Sequence, residues 1–175
     1  AEKRIEDYWP SGSHIEEEEK LFFCLEKPLW QIVGMDLSPG ALKVARRNGR
    51  QVSNATWLQG YWCHAIAPGS IDLIVSNPPY VRSGDSHLQV LSFEPQLALV
   101  GGLDGLDCIR EIIQGGYECL SPGGSLLMEH GFDQRDQIKA LLTHAGYLGI
   151  ETFNDLQGIP RAIIAQRPSE VTPIE

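Results

Sequence analysis

The sequence predicts an α/β protein: a doubly wound, mostly parallel sheet with one antiparallel edge strand and helices on both faces. Three observations carry the prediction. From about residue 29 onward, short apolar runs alternate with segments of helical spacing, the pattern of βαβ units. A last helix is followed by two closely spaced strands, which suits a single antiparallel edge. The 175 residues, 42% apolar and 21% charged, suffice for one substantial core of ordinary globular composition.

Taken in order, residues 29–35 are a mostly apolar run ending at Asp36 and read as a buried strand. Ser38-Pro39 supplies an N-cap followed by proline at the first helical position. A helix over 40–48 follows, with Leu42, Val44 and Ala45 available for packing, and Gly49 stops it. Residues 55–58 form a second strand. Residues 71–75 form a third, entered from Pro68-Gly69-Ser70 and leaving into Asn77-Pro78-Pro79-Tyr80. The polar stretch 81–90 reads as a mobile loop. Ile109, Ile112 and Ile113 recur at helical spacing within a helix over 106–120, which Ser121-Pro122-Gly123-Gly124 ends. A strand over 125–129, a helix over 134–145 closed by Gly146, and strands near 150–153 and 162–165 complete the pattern. The tail 167–175, with two prolines, is expected to fray.

Charge and cysteine content narrow the function classes. Fourteen Lys and Arg against twenty-three Asp and Glu give a net charge of -9. A domain that grips nucleic acid by itself must neutralise phosphates, so no direct nucleic-acid partner is expected. The one basic cluster, Arg46-Arg47 with Arg50, reads as a solvated helix face. Cys24, Cys63, Cys108 and Cys119 form no C-x-x-C pair and no cluster with histidine, so neither a metal site nor a disulfide framework is expected. No apolar run is long enough to cross a bilayer, and the first residues lack the apolar core of a secretory signal. A cytoplasmic protein with no membrane partner is the expectation.

Most of the chemical signal sits in Asn77-Pro78-Pro79-Tyr80, directly after a buried strand. In open α/β sheets, ligands sit at the carboxyl ends of the strands. Two consecutive prolines remove two backbone donors and hold the chain extended, leaving stiffly placed carbonyls. An amide or aromatic amine is a poor nucleophile because its lone pair is delocalised. Activating it requires acceptors for both N–H groups, and the Asn77 side-chain oxygen with the Pro78 carbonyl would supply them. Tyr80 would press its ring on the flat group and hold it in line with a sulfonium methyl. Such a transfer consumes the donor's positive charge and needs neither metal nor strong base. The competing reading is a Pro-Pro turn that merely ends a strand.

These four residues resemble the signature of amino-group methyltransferases with a Rossmann-like fold. Over residues 26–167 the chain more closely resembles the peptide-chain-release-factor glutamine N5-methyltransferases. The segments carrying the resemblance are Gly34-Met35-Asp36-Leu37-Ser38-Pro39, Ala45-Arg46-Arg47-Asn48, Val75-Ser76-Asn77-Pro78-Pro79-Tyr80, Phe93-Glu94-Pro95, Gly101-Gly102-Leu103-Asp104-Gly105 and Leu126-Leu127-Met128-Glu129-His130-Gly131. The resemblance implies S-adenosylmethionine as cofactor and methylation of a glutamine in the Gly-Gly-Gln loop of a peptide chain release factor. It implies catalytic roles for Asn77, Pro78 and Tyr80, and substrate binding by Asn77, Pro78, Pro79 and Tyr80. It also implies cofactor binding by Asp36, Trp62 and Asn77. Asp36 would accept from the ribose hydroxyls, a turn aspartate being the other reading. Trp62 would cover the adenine, with a packing role as the alternative. For Glu129-His130 and Glu94-Pro95 the preferred reading is structural, shaping the loops at the sheet edge.

The chain departs from the family in its first residues. A glycine-rich loop is expected near residues 11–17, where Ser11-Gly12-Ser13-His14-Ile15 runs into Glu16-Glu17-Glu18-Glu19. The strand before it would be Ile5-Glu6-Asp7-Tyr8-Trp9-Pro10, whose acids and proline suit a central strand poorly. Tyr61 stands where an acidic residue usually contacts the adenine amine. The expected division is an atypical segment over 1–28, a methyltransferase domain over 29–167 and a flexible tail over 168–175. The family's N-terminal helical domain has no counterpart, and residues 1 to about 24 read as replacing a native start through truncation or a frame disruption. The expectation is therefore a glutamine methyltransferase with impaired activity. Methylation of an exocyclic base amine, or a non-catalytic remnant of the fold, are the alternatives.

Overall fold

The computed structural model of the chain describes residues 27–89 and 96–169. The altered segment at Ser11 to Glu19, Cys24, the Phe93-Glu94-Pro95 segment and most of the expected tail lie outside the described residues. Those described fall into two compact units, divided between Ala65 and Ile66.

The first unit is one βαβ turn: β1 (Ile32–Asp36), α1 (Pro39–Asn48) and β2 (Ala55–Gln59). The two strands pair in parallel, from Ile32 opposite Ala55 to Asp36 opposite Gln59. Ser38 caps α1 as expected, its Oγ accepting from the Ala41 N–H at 3.3 Å, with Pro39 at the first helical position. Leu42 buries the inner face of the helix. Gly34 has no side chain because the Trp57 ring lies against it. Arg46 of the basic cluster donates to the Trp57 carbonyl at 3.0 Å, so it ties α1 to β2. Buried Asn54 donates to the carbonyls of Lys27 (3.2 Å) and Trp30 (3.1 Å), anchoring the chain where it enters β1.

The second unit contains β3 (Ile71–Ser76), a single helical turn α2 (Gln96–Leu99), α3 (Asp107–Cys119), β4 (Leu120–Glu129), α4 (Arg135–His144), β5 (Leu148–Asn154) and β6 (Pro160–Gln166). Its sheet runs β3-β4-β6-β5. β3 and β4 are parallel, and β6 is antiparallel to both β4 and β5. The antiparallel strand therefore lies one place in from the edge, which β5 occupies, and not at the edge as the sequence pattern suggested. The short 155–159 turn sends β6 back along β5, and β6 reaches β4 with its other side.

A second difference concerns Ser121-Pro122-Gly123-Gly124. It is not a turn between the helix and a strand starting at Ser125 but part of β4 itself: Ile71 faces Leu120, Leu73 faces Ser125, and Asp72 alone faces the residues between. The strand absorbs them as a bulge, pinned by Ser121 Oγ donating to Asp72 at 2.8 Å and by Gly123 N–H donating to the Arg167 carbonyl at 3.0 Å. The core is built from Ile109, Ile112 and Ile113 of α3, Leu126, Leu127 and Met128 of β4, Ile138 and Leu142 of α4, and Ile163 of β6, all buried. Each such side chain contributes about 1.5–3 kcal/mol on leaving water. Among the described residues no helix is long and apolar enough to cross a membrane.

Candidate functional site

Parallel pairing of β3 with β4 ends at Ser76 opposite Met128, so Asn77 leaves the sheet at the carboxyl ends of both strands. Proline at 78 and 79 ends the ladder there, since neither has an N–H to continue it. Asn77 is exposed, Pro78 is buried, and Pro79 and Tyr80 are half-buried. Beyond them, Val81 bridges Val100 in parallel, its N–H donating to the Leu99 carbonyl and its carbonyl accepting from Gly101 N–H, both at 2.9 Å. The stretch read from sequence as a loop thus carries a bridge and a 3-10 turn over Ser86–Gln89.

The loop 101–105 packs directly on this segment. A Cβ at Gly101 would stand 2.5 Å from the Pro79 carbonyl oxygen. Gly105, at φ +76°, lies against the Tyr80 carbonyl with no room for a side chain. Asp104 turns the loop into α3 by accepting from Leu106 N–H at 3.1 Å and pairing with Arg110. The Arg110 guanidinium holds the Asp104 carboxyl below the ordinary carboxylate range.

One buried amide joins these loops. Gln134, 1% exposed, donates through Nε2 to the Tyr80 carbonyl at 3.0 Å and to the Gly105 carbonyl at 3.2 Å. Its Oε1 accepts from Gly131 N–H at 2.9 Å. A primary amide has the donors and the acceptor this junction needs, so the carbonyl row of the Pro-Pro segment is set by a side chain from the start of α4. Arg82 reinforces the junction from outside through an ion pair with Asp133 at 2.7 Å.

The hydroxyl of Tyr80 donates to Glu129 Oε1 at 3.0 Å. Glu129 is the last residue of β4 and 1% exposed. Burial first, then the charge and hydrogen bond of Glu129, push the Tyr80 phenol up to about 12, so it stays a donor at any ordinary pH. Arg161 of β6 acts on the same phenol in the opposite sense. Next to it, fully buried His130 places Nδ1 2.8 Å from the Gly131 carbonyl, and burial holds its pKa below 6.5. Burial thus disfavours the charged ring, and the Gly131 carbonyl, which can only accept, favours a hydrogen on Nδ1.

In the first unit, Asp36 closes β1. Its Oδ1 accepts from Ser38 N–H at 2.7 Å, and its carbonyl accepts from Gly60 N–H at 3.2 Å. Asp36 is thus a turn aspartate through one oxygen, and Oδ2 takes no hydrogen bond among the described residues. The chain leaving β2 passes Gly60 to Trp62, which adopts φ +46°, a left-handed conformation that costs a residue with a Cβ about 1–2 kcal/mol. Its ring meets that of Tyr61 at 5.7 Å, and its buried indole Nε1 has no hydrogen-bond partner among the described residues. An unpaired buried donor and a strained backbone together mark a place where a ligand has something to satisfy.

Asn77, Pro78, Pro79 and Tyr80 therefore stand together in the second unit, while in the first Asp36 closes β1 and Trp62 lies in the turn after β2. Sequence reasoning passed over Gln134 and Arg161. A glutamine before a helix and an arginine in a terminal strand look solvated in any linear reading, and only the loops meeting around them bury them. Among the described residues, no group of His, Cys, Asp and Glu side chains could hold a metal ion.

No protein-family model matches the chain. It is 41% identical over 149 residues to a release factor glutamine methyltransferase of Coxiella burnetii, covering 84% of this chain and 54% of that protein. A protein of the same name from Xylella fastidiosa strain Temecula1 is 36% identical over 172 residues, covering 96% of this chain and 61% of the relative. The chain thus spans somewhat over half the length of these relatives. Among solved structures, a methyltransferase of Pyrococcus furiosus superposes with a TM-score of 0.64 at 18% identity, covering 85% of this chain and 68% of that one. A phosphoethanolamine N-methyltransferase of Haemonchus contortus in complex with S-adenosyl-L-methionine superposes with a TM-score of 0.53 at 15% identity, covering 79% of this chain and 43% of that one. These likenesses show the Rossmann-like methyltransferase fold.

Proposed function

We propose that this chain, a relative of the release factor glutamine methyltransferases along somewhat over half their length, is the catalytic part of such an enzyme. It transfers the methyl group of S-adenosylmethionine to the side-chain amide nitrogen of a glutamine in the Gly-Gly-Gln loop of a peptide chain release factor, in the cytoplasm. The observation that carries the reading is the position of Asn77-Pro78-Pro79-Tyr80 at the carboxyl ends of two parallel strands.

The cofactor, when bound, supplies an electrophilic methyl group on a sulfonium centre. Asp36 fits it, with Oδ2 open beside its own turn, and Trp62 fits it with an unsatisfied indole N–H. The chain's residues do the rest. Asn77 Oδ1 and the Pro78 carbonyl accept the two N–H groups of the glutamine amide, drawing density onto nitrogen, and the proton that the new N–CH3 bond displaces leaves past one of these acceptors to water. Tyr80 orients the flat amide, and the stiff Pro-Pro backbone keeps the acceptors at fixed separation. Leu103 and Phe132, 88% and 64% exposed, stand on the two loops that Gln134 ties to Tyr80. A polypeptide substrate would give these apolar side chains something to cover.

The test is methyl transfer from labelled S-adenosylmethionine to a release factor, to the same factor with its loop glutamine replaced by alanine, and to nucleic acid. Label on the first alone is expected, with calorimetry giving a micromolar Kd for S-adenosylhomocysteine, about -8 kcal/mol. Label on nucleic acid but not on the release factor would overturn the acceptor. A well-folded chain without affinity for S-adenosylhomocysteine would overturn the cofactor.

A further inference from the structure

Tyr80 is held at both ends by one short segment of chain. Its hydroxyl donates to Glu129 at 3.0 Å, and its carbonyl accepts from Gln134 at 3.0 Å. Both partners are 1% exposed. Glu129 has its height fixed by the sheet: Met128 before it pairs with Ser76, and Glu129 itself pairs with Ala162. Gln134 is fixed by Gly131 and Gly105. We propose that Glu129 is a positioning residue for methyl transfer, acting through the Tyr80 hydroxyl, with Gln134 holding the other end of the same residue. The inference rests on the acceptor-site reading of Asn77 to Tyr80.

The physical argument is one of tolerance. Reacting groups must be held within roughly 0.5 Å, and a misplacement of about 1 Å costs roughly 100-fold in rate. A half-buried tyrosine next to an open acceptor site has only weak packing to orient its ring. A hydrogen bond to a carboxylate is shorter and stronger than one to a neutral acceptor, and it ties the ring to the rim of the sheet. Because Pro78 and Pro79 are stiff, fixing Tyr80 also fixes the Pro78 carbonyl before it. If Glu129 merely filled space, an apolar leucine would serve nearly as well and the Tyr80 ring would keep its place.

The test is a double-mutant cycle on the full chain with the release factor as substrate. Tyr80→Phe and Glu129→Leu are each expected to lower kcat about tenfold to 100-fold. KM for the release factor and Kd for S-adenosylhomocysteine should change less than about threefold. The double variant should be no worse than the poorer single one, and Glu129→Gln, which still accepts, should restore most of kcat. Multiplying losses, or an unchanged kcat in Glu129→Leu, overturn the proposal. If Glu129→Leu does not fold, Tyr80→Phe carries the kinetic test by itself, and an unchanged kcat in that variant overturns the proposal.

The tether is also read without turnover, by NMR of ring-labelled tyrosine. The Tyr80 signal, assigned by its loss in Tyr80→Phe, should move in Glu129→Gln, and an unmoved signal overturns the tether. A wild-type chain that transfers no methyl to a release factor counts against the proposed function, while the ring signal still decides the tether.

Discussion

Tyr147 donates its hydroxyl to the Ile113 carbonyl at 3.0 Å, while the Tyr117 ring meets its own ring edge-on at 5.2 Å. The bond reaches into α3 from the residue just before β5, in the middle of the second unit's core. Tyr147→Phe keeps the ring contact and removes only the bond. A loss of about 1 kcal/mol is expected, read as a lower denaturant midpoint with an unchanged slope. A loss no larger than that of a surface substitution would show that the bond adds nothing net.

Gly105→Ala combines two costs. The residue must keep φ +76°, and its new methyl would press on the Tyr80 carbonyl and on Gln134. Destabilisation of about 2 kcal/mol or more is expected. Methyl transfer should fall further than the melting temperature alone explains, because the displaced atoms belong to Tyr80. Equal effects on stability and on rate would leave no special link between this glycine and the site.

Asn77→Ala should do the reverse. Asn77 is exposed and its side chain makes no hydrogen bond among the described residues, so stability should change by no more than about 0.5 kcal/mol. Loss of an oriented acceptor should lower kcat about 100-fold to 1,000-fold. A variant that still turns over at the wild-type rate would remove Asn77 from the chemistry.

Asp36→Asn separates the two uses of that carboxylate. An amide oxygen can still take the Ser38 N–H, so the turn should survive. On the proposed reading, what is lost is the charge that would face the ribose hydroxyls, and the Kd for S-adenosylhomocysteine should rise about tenfold, or 1.4 kcal/mol. Unchanged affinity with an unchanged melting temperature would make Asp36 a turn residue only.

His130 makes stability depend on pH with a definite sign. Burial lowers its folded pKa below the ordinary 6.5, so below about pH 6.5 the unfolded chain binds the proton that the folded chain refuses. The stability contribution is complete above 6.5 and declines as the pH falls toward the folded value. His130→Gln should flatten the denaturant midpoint between about pH 7 and pH 5. Asp104 and Asp155, whose pKa values are lowered by hydrogen bonding, act only further down, below the ordinary 3.8. An equal decline in wild type and His130→Gln over the upper window would assign it to another group.

The parts legible in the sequence were those with short-range causes. Ser38-Pro39 announces the start of α1, and the isoleucines at 109, 112 and 113 announce the buried face of α3. Pro78-Pro79 announces the end of β3. The parts that escaped depend on distant partners. Nothing local in residues 160–166 says that β6 inserts between β4 and β5, because one of its two pairing edges is filled by β4, a strand distant in the chain. Gln134 reads as a surface residue until the loops at 80, 105 and 131 converge on it. Ser-Pro-Gly-Gly reads as a turn because its composition is that of one, and only the pairing on either side shows that the strand runs through it.

That bulge has a mechanical consequence. Asp72 alone spans the stretch between Leu120 and Ser125, so the ladder below Ser125 does not inherit its alignment from the end of α3. The bulge resets the register: held by Ser121 to Asp72 and by Gly123 and Gly124 to Arg167, it lets the ladder from Ser125 to Glu129 take its alignment from the neighbouring strands. The sheet edge that holds Tyr80 is thereby aligned by β3 and β6 and not by where the preceding helix happens to end.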